Sequence, residues 1–269
     1  MSVGLRPELE DPCAHMLRWL PAPGWLVLAA LLLVAPAGAQ EARRGMPAVA
    51  LPGIGASDPR QAADVQQAPW RSLGRVQTEL GGRCTGVLVG QTRVLTAAHC
   101  LVSPVSRRMV QPGSVHFLLG YERGRWSAGA RVVSYVVGQG YSPERGPPGA
   151  DWALLRLGEP IGTPALVLPL LRDPPEPRTP VMLGGYQQDR PEVLMADTAC
   201  RILGVQRQST GHRTLAHDCA GTRGASGAPL LVRMADGRWG VVGVHSAAVV
   251  AQEVTFGQAV PAASVAPLN

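Results

Sequence analysis

Three short stretches of this 269-residue chain hold side chains that together could do nucleophilic chemistry. Leu95-Thr96-Ala97-Ala98-His99-Cys100 sets a histidine after a strand-like run and beside a cysteine. Asp151-Trp152-Ala153-Leu154-Leu155-Arg156-Leu157 opens a second such run with an acid in apolar company. Gly224-Ala225-Ser226-Gly227 holds one serine between glycines, with Cys219 before it and the apolar Pro229-Leu230-Leu231 after it. A serine hydroxyl is a poor nucleophile until a base takes its proton, and a histidine, which ordinarily titrates near neutrality, is the usual base. The imidazole must then be kept in one tautomer and one orientation, which a carboxylate accepting its other N–H provides. The apolar flanks of Asp151 would keep water away from that bond. His99, Asp151 and Ser226 are the candidate base, orienting acid and nucleophile.

Each stretch also has a plainer reading. A Gly-Ala-Ser-Gly loop is most often a turn, and this one is not the strand-to-helix elbow of G-x-S-x-G, because Ala228 stands at the final glycine. A histidine beside a cysteine can be a satisfied core residue. Asp151 can cap a strand, and Asp189 and Asp197 are competing acids. His116, His212 and His217 lack any comparable context and read as surface or loop residues.

The elements that must position these residues read as short strands. Cys84–Val89 and Arg93–Thr96, joined by Gly90-Gln91-Thr92, form a hairpin leading into His99. Further strands are expected at 114–120, 131–137, 153–157, 180–184, 200–206, 229–234, 240–245 and 255–260, with Asp236-Gly237 as a turn between two of them. Strands recur every ten to twenty residues and no long helical period follows the leader, the pattern of antiparallel barrels or sandwiches. A split near Pro164 to Pro180 gives each half about six strands. Ordered structure is expected to start near Pro69-Trp70-Arg71.

Composition agrees. Gly 32 and Pro 25 make about a fifth of the chain, below the range of disordered sequences, so a turn-rich globular protein is expected. The net charge of +6 comes from scattered arginines without a basic block, which excludes nucleic acid as a partner. Residues 25–35 are an uncharged apolar run, preceded by Arg18 and followed by Ala37-Gly38-Ala39. That is the form of a secretory signal peptide over 1–39, cleaved after Ala39, with Met16 as an alternative start. The run is too short for an ordinary membrane span, and no stable membrane insertion is expected after cleavage. A secreted or periplasmic location follows. Residues 40–63, rich in Pro, Gly, Ala and Arg, read as a flexible linker or pro-segment. Cys84, Cys100, Cys200 and Cys219 remain, enough for two disulfides in any of three pairings. No C-x-x-C pair is present, so no zinc site of that kind and no cofactor are expected.

With the three stretches in hand, the sequence from about Pro69 to the C-terminus resembles the chymotrypsin-like (trypsin-fold) serine endopeptidases, in particular their secreted bacterial, glutamyl-endopeptidase-like branch. The resemblance rests on T-A-A-H-C, D-W-A-L-L and G-A-S-G-A-P, and on the order His, Asp, Ser at separations of 52 and 75 residues. It implies an all-β fold of two six-stranded antiparallel barrels, about 64–165 and 166–269, with the active site in the cleft between them. It implies a monomeric endopeptidase acting on proteins or peptides, an oxyanion hole from the N–H groups of Gly224 and Ser226, and disulfides Cys84–Cys100 and Cys200–Cys219. A catalytically inactive homologue that binds protein partners is the competing function.

The sequence departs from the family at two places. Digestive members keep an aspartate just before the serine, which pairs with a new N-terminal amine; here Ala225 can form no ion pair. Maturation is therefore expected not to use that switch, and trimming of 40–63 only to expose the site. The pocket-base position that holds an aspartate in Arg- and Lys-specific members is Ala220. By the resemblance, Thr222, His245 and Ser246 join Ala220 as substrate-binding residues, with His245 favouring cleavage after Glu.

Overall fold

The computed structural model describes residues 51–266 except 56, 145, 252 and 253. The expected signal peptide and the first part of the expected linker lie outside the described residues.

Thirteen strands carry the fold among the described residues, joined by turns and 3-10 turns. The first barrel is built from β2 (Leu73–Thr78), β3 (Arg83–Gly90), β4 (Arg93–Thr96), β5 (Val115–Leu119), β6 (Ala128–Val137) and β7 (Ala153–Leu157). It closes antiparallel in the order β2-β3-β4-β7-β6-β5. The second is built from β8 (Pro180–Gly185), β9 (Met195–Arg207), β10 (Arg213–His217), β11 (Pro229–Arg233), β12 (Trp239–Ala251) and β13 (Val254–Pro261). Its order is β9-β10-β13-β12-β11-β8, and the β9–β8 pairing closes the ring.

Strand period and burial explain why these segments pair. In β5, Val115, Phe117 and Leu119 point inward while His116 and Leu118 are half-buried, the period-2 pattern of a barrel wall. β3 is buried along Cys84–Leu88 because it serves two cores at once. Val76, Leu88, Val94, Phe117 and Leu155 fill the first barrel, and Val181, Leu183, Ile202, Leu215 and Leu230 fill the second. A third cluster draws Leu73, Val87, Leu95 and Leu154 from one barrel and Leu231, Val244 and Val260 from the other, fixing the two together. The disulfides are Cys84–Cys100 and Cys200–Cys219. The expected turn at Asp236-Gly237 joins β11 to β12, with Met234 N–H donating to Arg238 O.

Three parts of the fold differ from expectation. β10 was hidden in a polar stretch, where Leu215 and Ala216 are the only strong apolar signals. β9 and β12 each run for 13 residues, well beyond the expected cores at 200–206 and 240–245, because bulges let one strand turn a barrel corner and keep pairing. The third difference is the segment before Pro69. Its described part is packed, not a free linker: β1 (Gln61–Ala62) pairs with Ala196 and Met195 of β9, and the Arg60 side chain is fully buried. A buried guanidinium requires fixed acceptors, so this segment has no freedom to behave as a tether.

Candidate active site

Register places the first two candidate residues. β4 and β7 run antiparallel with Thr96 opposite Ala153. Going forward from Thr96 and backward from Ala153 therefore brings His99 and Asp151 to the same barrel end. His99 lies in the 3-10 turn Ala98–Leu101, which the Cys84–Cys100 disulfide ties back to β3. Asp151 Oδ2 lies 2.7 Å from His99 Nδ1, and Asp151 Oδ1 accepts the His99 backbone N–H at 2.9 Å. Two contacts from one carboxylate fix both the ring and the turn that carries it. Asp151 is 15% exposed and His99 37%, so the acid is shielded while the imidazole faces open space. The carboxylate at Nδ1 puts the proton there and leaves Nε2 free to accept one. The competing acids are engaged elsewhere: Asp189 with Arg60, and Asp197 with the N–H groups of Ala199 and Ala220.

Ser226 belongs to the loop between β10 and β11, and that loop is keyed to the first barrel. Thr85 N–H donates to Ser226 O at 2.9 Å, and Thr85 Oγ1 donates to Gly224 O at 2.9 Å while accepting Tyr186 N–H at 2.9 Å. Gly227 has φ +80° and packs so tightly on Thr96 Oγ1 and Thr85 O that a Cβ there would collide with both. This close approach is what the glycine is for, and it sets Ser226 beside the strand end that leads into His99. Ser226 Oγ and His99 form no hydrogen bond here; such bonds are often long or misaligned without substrate and tighten in the reacting complex. Gly224 has φ +93°, with Tyr186 O in the space a Cβ would take. Around it the amides are divided. Ala225, Gly227 and Ala228 donate to Thr222 O, His245 O and Ala225 O, whereas the N–H groups of Gly224 and Ser226 donate to no group among the described residues.

The substrate-binding candidates do not line one common cavity. His245 lies directly across from the serine loop, donating its N–H to Ala228 O and accepting that of Gly227. Its imidazole is buried, and so is that of His217, which lies 3.1 Å away (Nε2 to His245 Nδ1). Burial pushes His245 down to about 4, with His99 adding to the depression, and pushes His217 well below its ordinary range, His245 adding there. Both rings are therefore neutral at pH 7. Thr222 Oγ1 is buried without a partner among the described residues, and Ser246 Oγ donates to Gln258 O at 3.2 Å. Asp218 is engaged with Arg201, whose backbone N–H donates to Asp218 Oδ1, and it also lines the cavity beside Ala220. Ala220 and Gly221 line a cavity of about 290 Å³ with Ala248 and Gly257, to which His245, Thr222 and Ser246 do not contribute. A larger cavity of about 520 Å³, lined by Arg172, His212 and Arg213, contains none of the candidate residues.

His217 is a correction to the surface reading given above. Paired with Gly257, its ring fills the space where that residue has no side chain. Its neighbours Leu215 and Ala216 are the only apolar signal, too short a run to separate a strand-end histidine from a loop one. His116 and His212 are half-buried residues outside the site. Gln187, which accepts the Thr222 N–H, and Arg60, which donates to Gln187, were not singled out at all. Cys84, His99 and Cys100 lie close enough to suggest a metal trio, but both sulfurs are spent in the disulfide and offer no thiolate.

Two closed barrels, with a histidine–carboxylate pair on one and a glycine-flanked serine loop on the other, define the chymotrypsin-like class. Residues 84–244, more than half of the chain, match the trypsin-like peptidase domain, and the chain belongs to that family of serine endopeptidases. Among solved structures it is similar to a Glu endopeptidase in complex with MPD, with a TM-score of 0.63 and 22% identity over 78% of this chain and 94% of that one. That likeness is one of fold.

Proposed function

We propose that this protein is a secreted endopeptidase that cleaves peptide bonds through an acyl-enzyme formed on Ser226. The carrying observation is the His99–Asp151 pair, doubly held and open at Nε2, on the barrel end to which Thr85 and Gly227 key the serine loop. Ser226 Oγ attacks the scissile carbonyl carbon as His99 Nε2 takes the hydroxyl proton. The developing oxyanion accepts from the uncommitted N–H groups of Gly224 and Ser226. Collapse breaks the C–N bond, and His99 returns the proton to the leaving amine. Water, deprotonated by the same imidazole, then hydrolyses the ester and restores Ser226.

The residue before the scissile bond is read as acidic, glutamate in particular. Cys219 N–H donates to His217 Nδ1 at 3.2 Å, so the His217 proton sits on Nε2 and donates to His245 Nδ1. His245 then carries its own proton on Nε2, which faces the pocket loop at Gly221. A neutral N–H donor and the unpartnered Thr222 hydroxyl suit a carboxylate, and Ala220 offers a cation nothing. Peptides differing only at that residue test the preference, with Ser226→Ala as the control against a non-catalytic binding role. Fastest cleavage after Glu is expected; a strong preference for Arg would overturn it.

A further inference from the structure

The serine loop lacks the acid before its serine, yet its shape is tightly specified by other means. Four consecutive amides leading to the nucleophile each donate to a fixed acceptor: Cys219 to His217 Nδ1, Ala220 to Asp197 Oδ2, Gly221 to Gly53 O and Thr222 to Gln187 Oε1. The first two acceptors belong to the second barrel. The third belongs to the segment before the barrels, and the fourth is held by it. Arg60 Nη1 donates to the same Gln187 Oε1 that receives Thr222 N–H. Its remaining donors go to two carboxylates: Nε and Nη2 to Asp58 at 2.8 Å each, and Nη1 and Nη2 to Asp189 at 3.2 and 2.8 Å. All five guanidinium N–H groups are thus used, and the side chain is fully buried.

We propose that Arg60 is a positioning residue for the reaction described above: its guanidinium, by fixing Gln187, holds the loop Cys219–Gly224 in the shape that points the Gly224 and Ser226 amides at the oxyanion. The inference rests on the proposed endopeptidase reading. It gives an internal guanidinium the task that a newly freed amine performs where an acid precedes the serine. Ala225 follows naturally, since it is fully buried with its methyl against Gly221, a place where a carboxylate would lose its water. The segment around Arg60 is then part of the working enzyme, so trimming within 40–63 is not neutral: cleavage beyond Asp58 removes the clamp.

Lysine cannot reproduce a five-donor planar fork, so Arg60→Lys should behave nearly as Arg60→Ala does. The full chain is compared as wild type, Arg60→Ala, Arg60→Lys and Gln187→Leu. Three readouts are taken: the second-order rate of labelling by a fluorophosphonate, the kcat and KM on the best peptide, and the thermal midpoint. Expected are a fall of at least about tenfold in labelling rate and kcat for both Arg60 variants, a smaller change in KM, and partial recovery of Arg60→Ala by millimolar methylguanidine. Gln187→Leu should reproduce the kinetic loss while keeping both ion pairs. Wild-type labelling rates in Arg60→Ala would overturn the inference. Should Arg60→Ala fail to fold, Gln187→Leu decides: slow labelling at an unchanged midpoint supports the proposal, and wild-type labelling overturns it. A wild-type chain that never labels would instead bring down the endopeptidase reading itself.

Discussion

The two barrels hold their shares of the site in different ways. On the first, His99 and Asp151 are placed by neighbouring strands. Thr96 faces Ala153, and one carboxylate takes both the ring and the backbone of His99 within that local frame. On the second, the serine loop is held from a distance. Its hydrogen-bond partners come from Thr85 across the interface, from Gln187 between β8 and β9, from Asp197 in β9, from His217 in β10 and from Gly53 in the segment before the barrels. Damage to the first arrangement should remove the chemistry while sparing the fold. Damage to the second should act by degrees, because many weak constraints share the load.

The largest effect is expected where the local frame breaks. Asp151→Asn keeps the shape but favours the wrong tautomer of His99, and kcat should fall about 10⁴-fold with little change in thermal midpoint. Steady-state assays with thermal unfolding check this. His245→Phe is expected next: about 10- to 100-fold loss of kcat/KM on a peptide with Glu before the scissile bond and little loss on a neutral counterpart, since the pocket loses its donor. Thr85→Val removes one hydroxyl that bridges Gly224 O and Tyr186 N, both in the loop-facing wall. Leaving two buried backbone groups unpaired predicts a graded loss of about tenfold in kcat, read best as the rate of acylation.

The smallest effect concerns stability and pH. His217 and His245 are neutral in the folded protein because burial depresses both, but they charge in the unfolded chain. The folded state therefore binds fewer protons between about pH 6.5 and 4, so stability is intact above that window and falls as the pH drops through it. For His245 alone the loss approaches about 3 kcal/mol at pH 4. His245→Phe should flatten the fall of thermal midpoint with acid, and an unchanged slope would contradict the neutral pair.

How much of this was legible in the sequence follows the same division. His99, Asp151 and the strands around them were readable because their contacts are local or lie in regular register. The two disulfides, which the resemblance implied, are those of the structure. What escaped was the second barrel's support. Arg60 and Gln187 are 127 residues apart, and neither stands in a pattern that marks it. His217 looked like a loop residue because its burial depends on Gly257, which only the β10–β13 pairing brings alongside. Such contacts are set by topology, and a single sequence carries no local trace of them.

The most direct test of the account is the intact mass of the protein after reaction with a fluorophosphonate. One adduct per chain on Ser226 is predicted, absent in Ser226→Ala and formed far more slowly in Asp151→Asn. An unmodified wild-type chain, or an adduct that persists in Ser226→Ala, would contradict it.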